Sequence, residues 1–108
     1  ITRNIDKCLS VFSMEEWEKY TDKLEQLPST QAREIARFIY SNATDLQPDS
    51  QGRVLIPAEL LAYAGITKGA VVVGCGRHAE IWAEELYNVS VAEEDQEAIR
   101  EALEACGL

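Results

Sequence analysis

Asp49-Ser50-Gln51-Gly52-Arg53-Val54-Leu55-Ile56-Pro57-Ala58-Glu59-Leu60 is the stretch on which the reading of this chain turns. An aspartate at position 49 can accept hydrogen bonds from backbone N–H groups just beyond it and so close a turn. Gly52 supplies positive φ at no steric cost. Arg53 then leaves the turn on a predicted strand, Arg53 to Ile56, whose alternate residues Val54 and Ile56 can face inward and which Pro57 ends. A guanidinium held on a stiff turn suits a phosphate or the acceptor edge of guanine. On spacing alone the plainer reading leads, a hairpin turn closed by an Asp–Arg ion pair, because turns of this composition are common.

Working outward, Thr44 to Gln47 reads as extended chain entering the turn. Ala58 to Ala64 supports two helical turns stopped by Gly65. Val71 to Val73 is a β-branched strand, Gly74 to His78 a turn, and Glu80-Ile81-Trp82 the partner strand. Towards the N-terminus, Cys8 to Phe12 is a short strand. Ser13-Met14-Glu15-Glu16 has the form of a capping box, with Phe12 and Trp17 placed as a hydrophobic staple. Met14, Trp17, Tyr20, Leu24 and Leu27 make one apolar stripe, which Pro28-Ser29 interrupts. A second helix is expected from about Gln31 to Ser41, with Ala32, Ile35, Ala36, Phe38 and Ile39 inward. Ser90-Val91-Ala92-Glu93 reads as a capping box opening a final acidic helix.

With 108 residues, 46% hydrophobic and 27% charged, the chain has room for one compact domain with a modest core. No apolar run is long enough to span a bilayer, and no signal peptide is recognisable. Cys8, Cys75 and Cys106 are odd in number and lack a CxxC pair, which argues for a reducing, cytosolic compartment and against a disulfide framework or a zinc site. The opening residue is Ile1, so the chain is read as a processed or cut piece. Net charge is −9, which speaks against a nucleic-acid partner until its distribution is counted. From Ala83 onward eight acids face one base, so that segment carries −7 and residues 1–82 only −2.

The chain also repeats itself. Phe12-Ser13-Met14-Glu15-Glu16-Trp17 and Trp82-Ala83-Glu84-Glu85-Leu86-Tyr87 match aromatic, small, spacer, acid and aromatic at an offset of 70 residues. Both are placed where a strand gives way to a helix. The repeat predicts a second copy of the Asp49 loop upstream of Ile1. Two aromatic-ended strands that merely happen to precede helices would look the same.

Over a longer span the pattern is specific. The Asp49–Leu60 stretch, Tyr63-Ala64-Gly65, Val72-Val73-Gly74 and Glu80-Ile81-Trp82 together resemble the second half of the MraZ family, regulators encoded at the head of the bacterial division and cell-wall gene cluster. Thr2-Arg3, Cys8-Leu9 and Glu15-Glu16-Trp17 resemble the end of that family's first half. The resemblance implies an α+β fold of AbrB/SpoVT type, two double-split β-barrel halves with flanking helices related by a pseudo-twofold, the first half incomplete here. Its parts would be residues 1–43 as the remainder of the first repeat, 44–89 as the second, and 90–108 as an acidic C-terminal helix. It also implies a cytoplasmic, nucleoid-associated repressor, binding double-stranded DNA repeats upstream of its own operon as a ring-like homo-oligomer. The family's DxxxR loop maps onto this sequence at Asp49 and Arg53 only. Asp49 and Gly52 would shape the loop, Arg53 would contact DNA, and Gln51 would lie beside it.

No other residue builds a competing site. His78 is a lone turn histidine with no catalytic set around it. Gly74-Cys75-Gly76 lacks the third glycine and following helix of a dinucleotide loop. Arg77, Arg33 and Arg37 read as solvated, and Phe12, Trp17, Trp82 and Tyr87 as core. Catalytic residues, cofactors, metals, a membrane and a small-molecule substrate are therefore not expected. Beside the DNA-binding regulator stands one alternative, a non-DNA-binding self-association or protein-interaction module.

Overall fold

The computed structural model describes residues 1–108, the side chain of Ser29 excepted. It is an α+β fold with one four-stranded antiparallel sheet in the order β1-β2-β4-β3. The strands are β1 (Thr2–Asn4), β2 (Cys8–Val11), β3 (Ala70–Gly74) and β4 (Ala79–Ala83), and the helices α1 (Met14–Glu25), α2 (Ser29–Tyr40), α3 (Ala58–Ala64), α4 (Glu84–Ala92) and α5 (Gln96–Ala105). No helix among the described residues is long and apolar enough to cross a membrane.

Alternation along β2 gives the sheet two different faces. Leu9 points at α3 and joins Leu60 and Ala64 in the buried core, with Ile1, Ile56, Tyr63, Ile66 and Ile81 packed around them. On the other face, Thr2 and Ser10 are register partners and both buried. There the Thr2 hydroxyl donates to the Ile39 carbonyl and ties β1 to α2. Arg3 strengthens the same joint: Nε and Nη2 donate to the Phe38 carbonyl at 3.1 and 2.9 Å, and Nη2 also reaches Ser41 Oγ at 2.9 Å. The guanidinium lies 4.4 Å from the Phe38 ring centroid, so this arginine is a structural cation near a helix C-terminus. Cys8 is fully buried, and desolvation, with Glu80 next, pushes its thiol up to about 12, which makes it an inert core residue.

β2 and β4 pair antiparallel with Ser10 opposite Glu80, two residues 70 apart in the chain, the same spacing as the similar segments at Phe12 and Trp82. Hairpin β1–β2 flanks one side of that pair and β3–β4 the other. α1 begins at Met14 after β2, and α4 at Glu84 after β4.

Several sequence expectations are met. Ser13 caps α1 by accepting from the Glu16 amide at 3.2 Å, and the Phe12 and Trp17 rings pack as the staple with centroids 5.6 Å apart. Gly65 ends α3 with φ of 68°. Others need correction. The strand expected over Arg53 to Ile56 does not form, because hydrogen bonding between the two arms of that turn stops at Asp49 N–H to Arg53 O (2.8 Å) and leaves no ladder beyond it. Ser90 opens no helix: it lies inside α4, and the final helix is capped by Asp95, whose carboxylate accepts from the Ala98 amide at 3.1 Å. β1 has no counterpart in the sequence reading, since Thr2-Arg3-Asn4 holds no apolar side chain and leaves no periodicity to detect. The four aromatics read as core are half-buried and pack as two pairs, Phe12 with Trp17 and Trp82 with Tyr87, while the buried cluster is aliphatic.

Candidate nucleic-acid interface

The Asp49 loop is built around one carboxylate. Asp49 Oδ1 accepts from the backbone amides of Gln51 and Arg53, both at 2.9 Å, and Oδ2 accepts from Arg53 Nε at 2.9 Å. Two backbone bonds close the same turn, Gly52 N–H to Asp49 O at 3.0 Å and Asp49 N–H to Arg53 O at 2.8 Å. Gly52 takes φ of +79°, the left-handed conformation that a side chain would strain. The structure thus brings Asp49, Gly52 and Arg53 together as expected, and Gln51 contributes its amide to the turn while its side chain stays exposed.

Arg53 is the chemically useful product of this arrangement. Its side chain is 74% exposed although Nε is fixed by Asp49. The terminal Nη1 and Nη2 have no partner among the described residues and remain available as a fork for two acceptors. Asp49 orients the guanidinium and holds it off the surface, which reduces the side-chain entropy lost when an anion or base edge is met. The ion pair alone contributes little to stability at this exposure.

Hydrogen bonds from the Arg53 amide, then the Gln51 amide, hold the Asp49 carboxyl below the usual aspartate range. A lowered folded pKa means that the carboxylate's contribution to loop order is complete above the ordinary range and is lost as pH falls through the lowered value. The Gln51 and Arg53 amide resonances should therefore titrate with a midpoint below the usual aspartate pKa of about 3.9. A midpoint at or above that value in a pH series of amide spectra would show that Asp49 does not hold the turn.

The arms of the loop are less polar than its tip. With Phe12, Met14 and Trp17, the residues Leu46, Pro48 and Val54 line a groove of about 810 Å3. Val54 is 40% exposed and Leu55 90% exposed, so the expectation that Val54 faces inward holds only in part, whereas Ile56 packs on the core. Arg33, Arg37 and Arg77 are exposed and make no ion pair among the described residues. A second group of side chains, missed by a sequence search centred on CxxC, meets at the β3–β4 turn: Cys75, His78 and Glu80.

With this geometry in view, comparison with known proteins is specific. Residues 39–106 match the family described as "MraZ protein, putative antitoxin-like", a span that holds the loop, α3, β3, β4 and both C-terminal helices. The chain belongs to the MraZ family. It is similar to a protein named transcriptional regulator MraZ from Desulfitobacterium hafniense, 44% identical over 97 residues, 87% of this chain and 68% of that protein. Proteins of the same name from Halothermothrix orenii and Clostridium tetani are 40% and 39% identical over 111 residues, 99% and 100% of this chain and 78% of each relative. A further Desulfitobacterium hafniense relative is covered over 62% of its length, so the chain spans roughly two thirds to four fifths of the relatives it matches. All four are named as regulators of transcription rather than as enzymes.

Proposed function

We propose that this chain is the DNA-reading part of a transcriptional regulator, a repressor that binds repeated sites upstream of its own operon in the division and cell-wall gene cluster. The observation that carries the reading is the Arg53 fork, exposed and aimed by Asp49 on a closed turn. Double-stranded DNA offers such a fork either a phosphate or the O6 and N7 acceptors of guanine in the major groove. The naming of its relatives as transcriptional regulators supports the same reading. The net charge of −9 does not oppose it, since the largely exposed region from Glu84 onward carries −7 of that total.

A single arginine contributes about 1–3 kcal/mol of base discrimination, too little for a specific site. Several loops must act together, so the regulator binds adjacent repeats as a homo-oligomer in which each further loop engages at high effective concentration. Leu55, 90% exposed beside Val54, supports such self-association, because apolar side chains clustered at a loop base call for a cover. The Ser10–Glu80 register supports two AbrB-type halves about a local pseudo-twofold, with β1–β2–α1 answering β3–β4–α4. Occupied repeats would block initiation sterically, in the cytoplasm at the nucleoid.

The test is a mobility-shift titration on DNA from upstream of the gene, at several salt concentrations. Specific retardation is expected, with log affinity falling linearly against log salt. A protein that ignores this DNA at low salt, yet assembles by light scattering, would instead be the self-association module that the exposed Leu55 equally favours.

A further inference from the structure

We propose that Cys75, His78 and Glu80 form a binding site for one divalent transition-metal ion of the Zn2+ class on the β3–β4 hairpin, with water in the fourth position. The three side chains offer a sulfur, an imidazole nitrogen and a carboxylate oxygen, all within 4.8 Å of one another. Ligand atoms around a tetrahedral Zn2+ at about 2.0–2.3 Å lie roughly 3.3–3.8 Å apart, so closing the site asks for shifts of only about 1 Å. His78 Nε2 and Glu80 Oε2 stand 3.9 Å apart, close to that spacing already. Cys75 is exposed on the turn, where its Sγ has only a long contact of 3.7 Å with the Val73 carbonyl to give up.

The framework around the three ligands is stiffer than a surface turn requires. Cys75 N–H donates to the His78 carbonyl at 2.8 Å, and Gly76 takes φ of +79°, which sets Cys75 and His78 on either side of a tight bend. The His78 ring stacks on Phe12 with centroids 5.3 Å apart. Both oxygens of Glu80 are already oriented: Trp82 Nε1 donates to Oε1 at 3.0 Å and Asn4 Nδ2 to Oε2 at 3.3 Å. Hydrogen bonds of this kind fix ligand direction in metal sites. Each oxygen keeps an unused lone pair for the ion. On binding, the Cys75 thiol releases its proton to solvent, and one thiolate with one carboxylate balances the dication. The sulfur and nitrogen donors select Zn2+, Co2+ or Cu2+ over Mg2+ and Ca2+. This reading is independent of the Arg53 loop and stands or falls without it.

Cobalt is the probe, because its spectrum reports both thiolate ligation and tetrahedral geometry. Metal-free protein, kept reduced with a non-thiol reductant, should develop a thiolate-to-cobalt charge-transfer band and intense visible bands at one Co2+ per chain. Added Zn2+ should displace them and raise the melting temperature. Cys75→Ser should lose the charge-transfer band, whereas Cys106→Ser, at an exposed site outside the cluster, should keep it. His78→Gln should weaken binding by at least the roughly 10–100-fold that losing an outer-shell partner costs. A weak octahedral spectrum with no thiolate band overturns the proposal, as does a band that survives Cys75→Ser or disappears with Cys106→Ser. Circular dichroism of each variant confirms that a lost band is not a lost fold. Should His78→Gln bind Co2+ as tightly as the unaltered protein, the His78–Glu80 approach is an ordinary ion pair and the site is not a metal site.

Discussion

Arg53→Glu is expected to abolish specific retardation of the upstream DNA at every salt concentration at which the unaltered protein binds, with the fold unchanged. Each loop loses a fork of two donors and gains a negative charge facing phosphate. The loss per loop is therefore at least the about 1–3 kcal/mol of one bidentate contact, or roughly 5–150-fold. In an oligomer that engages several loops the losses multiply, and the specific complex disappears from the measurable range. Because a second carboxylate in the loop would also repel Asp49, Arg53→Gln is the sharper partner experiment. It leaves both backbone bonds to Asp49 Oδ1 in place, since these come from the amides of Gln51 and Arg53 and do not involve the side chain at 53. It should weaken binding and lower the salt slope by about one per engaged loop if Arg53 meets phosphate. If it meets guanine, discrimination at one base position should relax while the slope falls less. Retained affinity and slope in Arg53→Gln would remove Arg53 from the interface and the DNA-reading proposal with it.

The loop is legible in the sequence because its information is local. An aspartate, a glycine with positive φ and an arginine within five positions suffice to specify the closed turn, and the structure reproduces those bonds. The α1 cap, the β3–β4 hairpin and the Gly65 stop are readable for the same reason. What fails depends on distant partners. A strand at Arg53 to Ile56 fits the residue preferences but needs a hydrogen-bonded neighbour, and none adjoins it among the described residues. β1 runs the other way: Thr2–Asn4 carries little strand signal and is made a strand by β2 on its edge and by Arg3 and Thr2 clasping the end of α2. The Ser90 box is a sound motif in the wrong competition, since α4 has already started at Glu84 directly off β4. The Cys75-x-x-His78-x-Glu80 spacing is visible in the sequence too. It carries no signal there, because Glu80 becomes a ligand candidate only when the bend brings it back beside Cys75.

Leu9→Ala should be the most destabilising truncation in the chain, in the upper part of the about 2.7–5 kcal/mol range for a buried leucine. Leu9 has no exposed surface and sits on β2 between Arg3 of β1 and Ile81 of β4, with Leu60 and Ala64 of α3 above it. The cost depends on how far the walls of the new cavity can collapse. Here two of those walls are neighbouring strands held at fixed spacing by their ladders, and the Ala64 side chain across the gap is too short to fill it. Little relaxation is available, so most of the cavity persists. Against a total stability of about 5–15 kcal/mol for a domain of this kind, the loss is a large fraction. At about 4–8 °C per kcal/mol for a small domain, the melting temperature should fall on the order of 15–40 °C. Leu55→Ala, at a leucine 90% exposed, is the matched control and should stay within about 0.5 kcal/mol of the unaltered protein when monomeric. Urea and thermal unfolding of the pair would measure both, and a Leu9→Ala cost below about 1 kcal/mol would mean that Leu9, Leu60 and Ala64 do not form the core. The two leucines also separate scaffold from site. α3 follows directly on Pro57 at the foot of the Arg53 arm, so the core holds the loop's base but none of its tip. Below its melting transition Leu9→Ala should therefore keep the salt slope of DNA binding, the property that Arg53→Gln changes while leaving the core intact.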